Sequence, residues 1–195
     1  QAPTDGREAP TTLKTAALTI NLPDRTVLLD DVVLEVRPGD SVLIRAWGSN
    51  ADYTSFGLTI NNTAGGGALF QMDTIWSNNL ASYFNFNSAG PLRVAPYSTS
   101  FPVPMNIGSN FAISSSASLF EVGSASNSGQ IYVSGDKVLA GDITLRGGNV
   151  SISSAVTSTG SGKRISIVSD TISLSANVSA TNSSRVEISP RTSGR

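Results

Sequence analysis

Histidine and cysteine are both absent from the 195 residues. Without histidine there is no Ser-His-Asp triad, no imidazole base and no imidazole metal ligand. Without cysteine there is no disulfide, no thiol nucleophile and no thiolate cluster for zinc. Charge is scarce as well: Asp, Glu, Lys and Arg make up 14% of the chain, against roughly 25% in ordinary soluble domains. The 13 basic residues are scattered, the net charge is −1, and no basic stripe is available to track a phosphate backbone, which argues against nucleic acid as a partner. No apolar run approaches the ~20 residues of a membrane-crossing helix. Gly65-Gly66-Gly67 lacks the spacing of a phosphate-cradling loop. No oxygen-ligand loop surrounds Asp30, Asp31, Asp136 or Asp142, so the sequence predicts neither a metal nor a cofactor.

Sustained apolar spacing at three and four residues is missing too; what recurs is period-two alternation. Leu18-Thr19-Ile20-Asn21-Leu22, Val32 to Val36, Val42-Leu43-Ile44, Phe56 to Ile60 and Ile131-Tyr132-Val133 read as strands. Leu22-Pro23-Asp24, Arg37-Pro38-Gly39-Asp40, Gly65-Gly66-Gly67 and Gly147-Gly148-Asn149 read as turns between them. Hydrophobic residues reach 39%, enough for a folded core, and Ser, Thr, Asn and Gly fill the polar positions. Short uncharged side chains can repeat along a stacked β-face without repulsion. The expectation is an all-β chain.

Residues 142–195 repeat. Ile143-Thr144-Leu145, Val150-Ser151-Ile152 and Val156 are followed at one common step by Ile165-Ser166-Ile167, Ile172-Ser173-Leu174 and Val178. A third unit opens at Val186-Glu187-Ile188, one residue early. Three strand positions sharing one step of 21–22 residues describe the coil of a parallel β-helix, in which each coil satisfies its backbone edges against the next. Ile, Val and Leu then form inward ladders, while Thr144 over Ser166 and Ser151 over Ser173 form outward ones. An antiparallel β-sandwich of hairpins accounts for the alternation but not for the common step.

Four sections follow. Residues 1–12, with Pro3 and Pro10 and no periodicity, read as a flexible or extended arm; the absence of Met before Gln1 fits a mature secreted product or an internal fragment. Residues 13–63 form an N-terminal strand region and 119–195 the β-helical repeats. Residues 64–118 concentrate Phe70, Trp76, Tyr83, Phe84, Phe86, Tyr97, Phe101 and Phe111, with Pro91, Pro96, Pro102 and Pro104 interrupting any regular ladder, and read as an irregular section. Such rings serve either as core filling or as an exposed surface for a glycan or another subunit. Trp76, Tyr83, Phe84 and Tyr97 are the candidate binding residues on the second account.

Gly-Asp-Ile-Thr-Leu at 141–145, Ile-Ser-Leu-Ser-Ala-Asn-Val-Ser-Ala-Thr at 172–181 and Val-Glu-Ile-Ser-Pro-Arg-Thr-Ser-Gly-Arg at 186–195 resemble the repeats of filamentous haemagglutinin-type bacterial exoproteins. The resemblance covers 141–195 only. It implies a secreted, right-handed parallel β-helical shaft, at the bacterial surface or outside the cell, engaged in adhesion or display.

Only carboxylates remain for catalysis. A carbohydrate-active β-helix enzyme needs two or three acids on one face, with carboxyls roughly 5 to 10 Å apart. In the repeat register Asp142 aligns with Arg164 and Arg185, an acid beside two bases, and Glu121 stands about one coil earlier as a possible extension of that row. Asp30 and Asp31, being adjacent, point to opposite faces of a strand. The sequence therefore predicts a non-enzymatic structural or adhesive module whose partner is a glycan or a host or surface protein. The alternatives are a self-assembling extracellular filament subunit, hence a homo-oligomer or polymer, and a carboxylate-dependent carbohydrate-active enzyme.

Overall fold

The computed structural model describes residues 11–15, 18–22, 29–36, 42–46, 56–62, 65–71 and 83–192, and every regular element among them is a β-strand. In chain order these are β1 (Thr11–Thr15), β2 (Leu18–Leu22), β3 (Leu29–Val36), β4 (Val42–Ala46), β5 (Phe56–Asn62), β6 (Ala68–Gln71), β7 (Tyr83–Ser88), β8 (Pro91–Ala95) and β9 (Met105–Ile107). There follow β10 (Phe111–Ile113), β11 (Leu119–Gly123), β12 (Gln130–Val133), β13 (Lys137–Leu139), β14 (Asp142–Ile152), β15 (Val156–Ser158), β16 (Arg164–Leu174), β17 (Val178–Ala180) and β18 (Arg185–Ser189). All pairings between these strands are parallel, so the antiparallel sandwich is excluded and the chain is a β-solenoid.

One ladder runs β2-β4-β6-β8-β11-β14-β16-β18 along the axis. A second runs β1-β3-β5-β7-β10, adjoining the ladder β13-β15-β17. A third is made by β9, β12 and the distal halves of β14 and β16. β14 and β16 thus each turn a corner without a break. Gly147 and Gly148 sit at that corner, and a Cβ on Gly148 would meet the Ser128 carbonyl oxygen at 2.2 Å. The Gly-Gly pair that reads as a turn between strands is a bend within one, where the backbones of neighbouring coils come too close for side chains.

The repeat read from sequence is the coil-to-coil step. Ile143 pairs with Ile165, Val150 with Ile172 and Val156 with Val178, each 22 residues on, and Ile165 pairs with Val186. Thr144 lies beside Ser166 and Ser151 beside Ser173. Elsewhere the step varies: Phe84 pairs with Phe111, Leu92 with Phe120, and Ile131 with Val150. Connections absorb these differences, and the β3–β5 pairing also shifts register between Leu29 and Val32.

The core is one continuous apolar column from Ile60 to Ile167. One stretch of it is aromatic: Phe84 meets Phe70 edge-on with centroids 4.9 Å apart and Phe111 at 4.7 Å, and Phe111 meets Phe120 at 5.8 Å. Of residues 64–118, those described supply β6 to β10, all in ladder register; they depart from the C-terminal repeat in coil length rather than in being strandless. Of the arm expected at 1–12, Thr11 and Thr12 open β1 against Val32 and Val33, and residues 1–10 lie outside the described residues.

Candidate functional site

Strand alternation decides where the four candidate aromatics go. In β7 the sequence Phe84-Asn85-Phe86-Asn87 places both phenylalanines in the core, 1% and 0% exposed, and both asparagines outward. Asn85 Nδ2 donates to Thr59 Oγ1 at 3.3 Å and Asn87 Nδ2 to Asn61 Oδ1 at 2.9 Å, so the outward row is a polar ladder. Phe84 is therefore a core residue and not part of a binding surface. Tyr83 pairs through its backbone with Gly57 at the start of β7. Trp76 lies outside the described residues. Tyr97 is 49% exposed in the connection from β8 to β9. That connection also exposes Pro102, Val103 and Pro104, while Phe101 within it is buried and holds the loop to the core. Buried Asn127 pins it further: its Oδ1 accepts from the Phe101 and Gly129 amides, and its Nδ2 donates to the Arg146 carbonyl.

The carboxylates form a different row from the one the spacing suggests. Leu119, not Glu121, pairs with Asp142; Glu121 pairs with Thr144 and with Arg93. A coil step of 23 rather than 21 at this point moves Glu121 two places along its strand. Glu121 there lies between two cations, 3.1 Å from Arg93 Nε and 3.8 Å from Arg146 Nε. Asp142 and Arg164 do occupy adjacent coils, but Asp142 Oδ1 accepts from the Arg164 backbone N–H at 2.8 Å. The Arg164 side chain reaches Glu187 instead, at 3.5 Å, and Arg185 pairs with Glu187 as well. Asp136 Oδ1 accepts from the Ala155 amide at 2.9 Å. Asp170 accepts from both the amide and the hydroxyl of Thr192 and pairs with Arg191 at 3.3 Å; the Thr192 hydrogen bonds hold its carboxyl below the usual carboxylate range. Each of these acids is occupied by a cation or an amide donor, and none is paired with a second acid in the manner of a glycosidase. No group of three or more acids that could hold a metal ion occurs among the described residues.

Two features escape sequence reasoning. Lys137 is 3% exposed and occupies the row of Val156 and Val178. Its Nζ donates to the carbonyls of Gly108 and Gly135 at 3.0 Å and of Asp136 at 3.1 Å. Burial lowers its pKa to about 8, against the partial opposition of the Asp136 charge. The second feature is the last described coil. Leu174, Val186 and Ile188 are 47%, 39% and 55% exposed, although the rows they continue are buried one coil earlier at Ile152, Ile165 and Ile167.

No helix among the described residues is long and apolar enough to cross a membrane. Comparison of the chain with protein-family models, with curated proteins and with solved structures gives no match.

Proposed function

We propose that the chain is a shaft segment of a secreted bacterial surface protein or exoprotein, acting by adhesion or display and not by catalysis. One observation carries this reading: the apolar column and its outward ladders of Ser, Thr and Asn build a rod, while every acid with a described side chain is already engaged. A rod needs continuity more than reactive groups, and unbroken coil stacking supplies it. The resemblance of 141–195 to filamentous haemagglutinin-type repeats points the same way.

Recognition on such a rod falls to what interrupts the regularity. The connection from Ser98 to Pro104, with Tyr97 at its head, is the described segment that combines an exposed ring with exposed prolines on a fixed base. A glycan or a host surface protein is the partner class, since an amphipathic ring stacks on sugars and anchors protein contacts. The test is binding of the fluorescent chain to a glycan array and to epithelial cells. Tyr97→Ala should weaken binding at least tenfold with unchanged melting. Release of reducing sugar from a bound polysaccharide, abolished by Glu121→Gln, would replace this reading with an enzymatic one.

A further inference from the structure

Two ladders of the solenoid turn opposite chemistry towards solvent. The long ladder through β8, β11, β14, β16 and β18 carries Arg93, Glu121, Arg146, Arg164 and Glu187, tied into ion pairs. The ladder of β9, β12 and the distal halves of β14 and β16 carries no charge. None of Met105–Ile107, Gln130–Val133, 149–152 and 171–174 contains Asp, Glu, Lys or Arg. Its inward rows are apolar and buried, Met105, Ile131 and Val150 in one and Ile107, Val133 and Ile152 in the next. Alternation therefore turns Asn106, Tyr132, Ser151 and Ser173 outward as one row along the axis. The rows on either side, from Gln130 to Thr171 and from Ser134 to Ser175, are amide and hydroxyl as well. Two members of the middle row are braced diagonally. Ser134 Oγ donates to Asn106 Oδ1 at 2.7 Å, and Ser153 Oγ donates to the Tyr132 hydroxyl at 3.0 Å. In both cases the serine sits one coil on and two positions along its strand. The second bond thus lays the half-buried Tyr132 side chain across the sheet.

From this arrangement we infer that the uncharged face binds a neutral, extended polysaccharide laid along the solenoid axis, with Tyr132 as the ring on which a sugar stacks. The surface is not the connection that holds Tyr97, so the inference goes beyond the reading above. Hydrogen-bonding sense supports it first. Hydroxyls and amides both donate and accept, as sugar hydroxyls do, so each exchanges a water for the ligand without leaving a group unmet. The charged ladder has its groups spent on one another, and an uncharged ligand covering it would strip water from ions and return no counter-charge. Spacing supports it second. Equivalent positions recur at the coil step of about 4.8 Å, close to the length of one hexose in an extended β-linked chain. Successive sugars then meet the same row of groups one coil further on. An extended peptide on the same line presents its same-face side chains about 6.7 Å apart and does not keep step. Finally, the Ser153 hydrogen bond holds the Tyr132 side chain in advance, so that stacking costs little further ordering.

The experiment measures depletion of the 195-residue chain by microcrystalline cellulose and by crystalline chitin, and its retardation in gels that contain soluble glucomannan or alginate. The wild-type chain should bind at least one of the three neutral polymers and keep that affinity between low and molar salt. Tyr132→Ala should weaken binding about tenfold or more. Ser173→Lys, which sets a charge on an exposed position of the middle row, should weaken it comparably. Tyr97→Ala should leave it unchanged, which separates failure of this face from failure of the Tyr97 connection. Strand-type circular dichroism with a cooperative melt must accompany every sample; if Tyr132→Ala does not fold, Ser173→Lys decides. A folded wild-type chain that binds none of the neutral polymers overturns the inference. Binding to alginate alone, lost in molar salt, overturns it in favour of the charged ladder. Binding that Tyr97→Ala abolishes while Tyr132→Ala and Ser173→Lys leave it intact overturns it in favour of the Tyr97 connection.

Discussion

Lys137 occupies a row that its successors fill with valine, Val156 one coil on and Val178 beyond. Three carbonyls from Gly108, Gly135 and Asp136 surround its ammonium group, doing for the charge part of what water would do. Desolvation still wins, since the pKa falls from 10.5 to about 8. Between these two values the unfolded chain holds the proton and the folded chain does not, so stability must rise with pH across that window. Below about 8 both states are protonated and the burial cost is present in full. The melting temperature is expected to climb from pH 8 to 9.5 relative to Lys137→Met, which lacks the titrating group. The full window is worth on the order of 3 kcal/mol. Calorimetry of both chains across the range checks this, and parallel pH profiles would remove Lys137 as the cause. Phe84 and Tyr97 show the same dependence on position. Phe84→Ala empties a site between Phe70 and Phe111 and should cost about 4 kcal/mol, whereas Tyr97→Ala at the surface should change stability by less than about 0.5 kcal/mol. Denaturant midpoints separate the two; equal losses would place Tyr97 in the packing as well.

At the scale of the element, strands were readable wherever alternation was clean, and the coil was readable only where connections kept their length. Ile143, Ile165 and Val186 fall at nearly constant spacing, so their register could be aligned by eye. Between Phe84 and Phe111, or Leu92 and Phe120, the connections are longer, and the same ladder leaves no period to find. For the same reason counting one coil back from Asp142 lands on Glu121, two positions past its true partner Leu119. The aromatic section was misleading in a second way, because ring content says nothing about facing; the alternation of Phe84 and Phe86 with Asn85 and Asn87 was the signal that those rings point inward. Corners have their own legible residue. Gly123 has φ +90° at the end of β11, and a Cβ there would stand 1.9 Å from the Arg146 carbonyl oxygen. Gly162 has φ +68° but open space around it. Gly123→Ala is therefore expected to cost about 3 kcal/mol from clash and strain together, and Gly162→Ala about 1 kcal/mol from strain alone. Chemical denaturation of the two variants tests the difference, and equal values would mean that the coils at Gly123 move apart easily.

At the scale of the molecule, a stack of coils has no single centre, since each coil touches only those next to it. Stability should then follow position along the axis. β14 and β16 are paired over their whole length, and Ile143, Leu145, Val150, Ile165 and Ile167 are fully buried between coils. One step further, β18 has one neighbour among the described residues, and its Val186 and Ile188 are exposed. The cost of opening should fall between these two levels, because freeing the last coil breaks one ladder and exposes rows that are already half open. Amide hydrogen exchange at low protein concentration should therefore be slowest in Ile143–Leu145 and Ile165–Ile167. It should be faster in Thr171–Leu174 and fastest in β18, even for the Arg185 amide that donates to the Lys163 carbonyl at 3.0 Å. Equal protection from β11 to β18 in the dilute chain would mean that the solenoid opens as one cooperative unit, and the gradient would have to be abandoned.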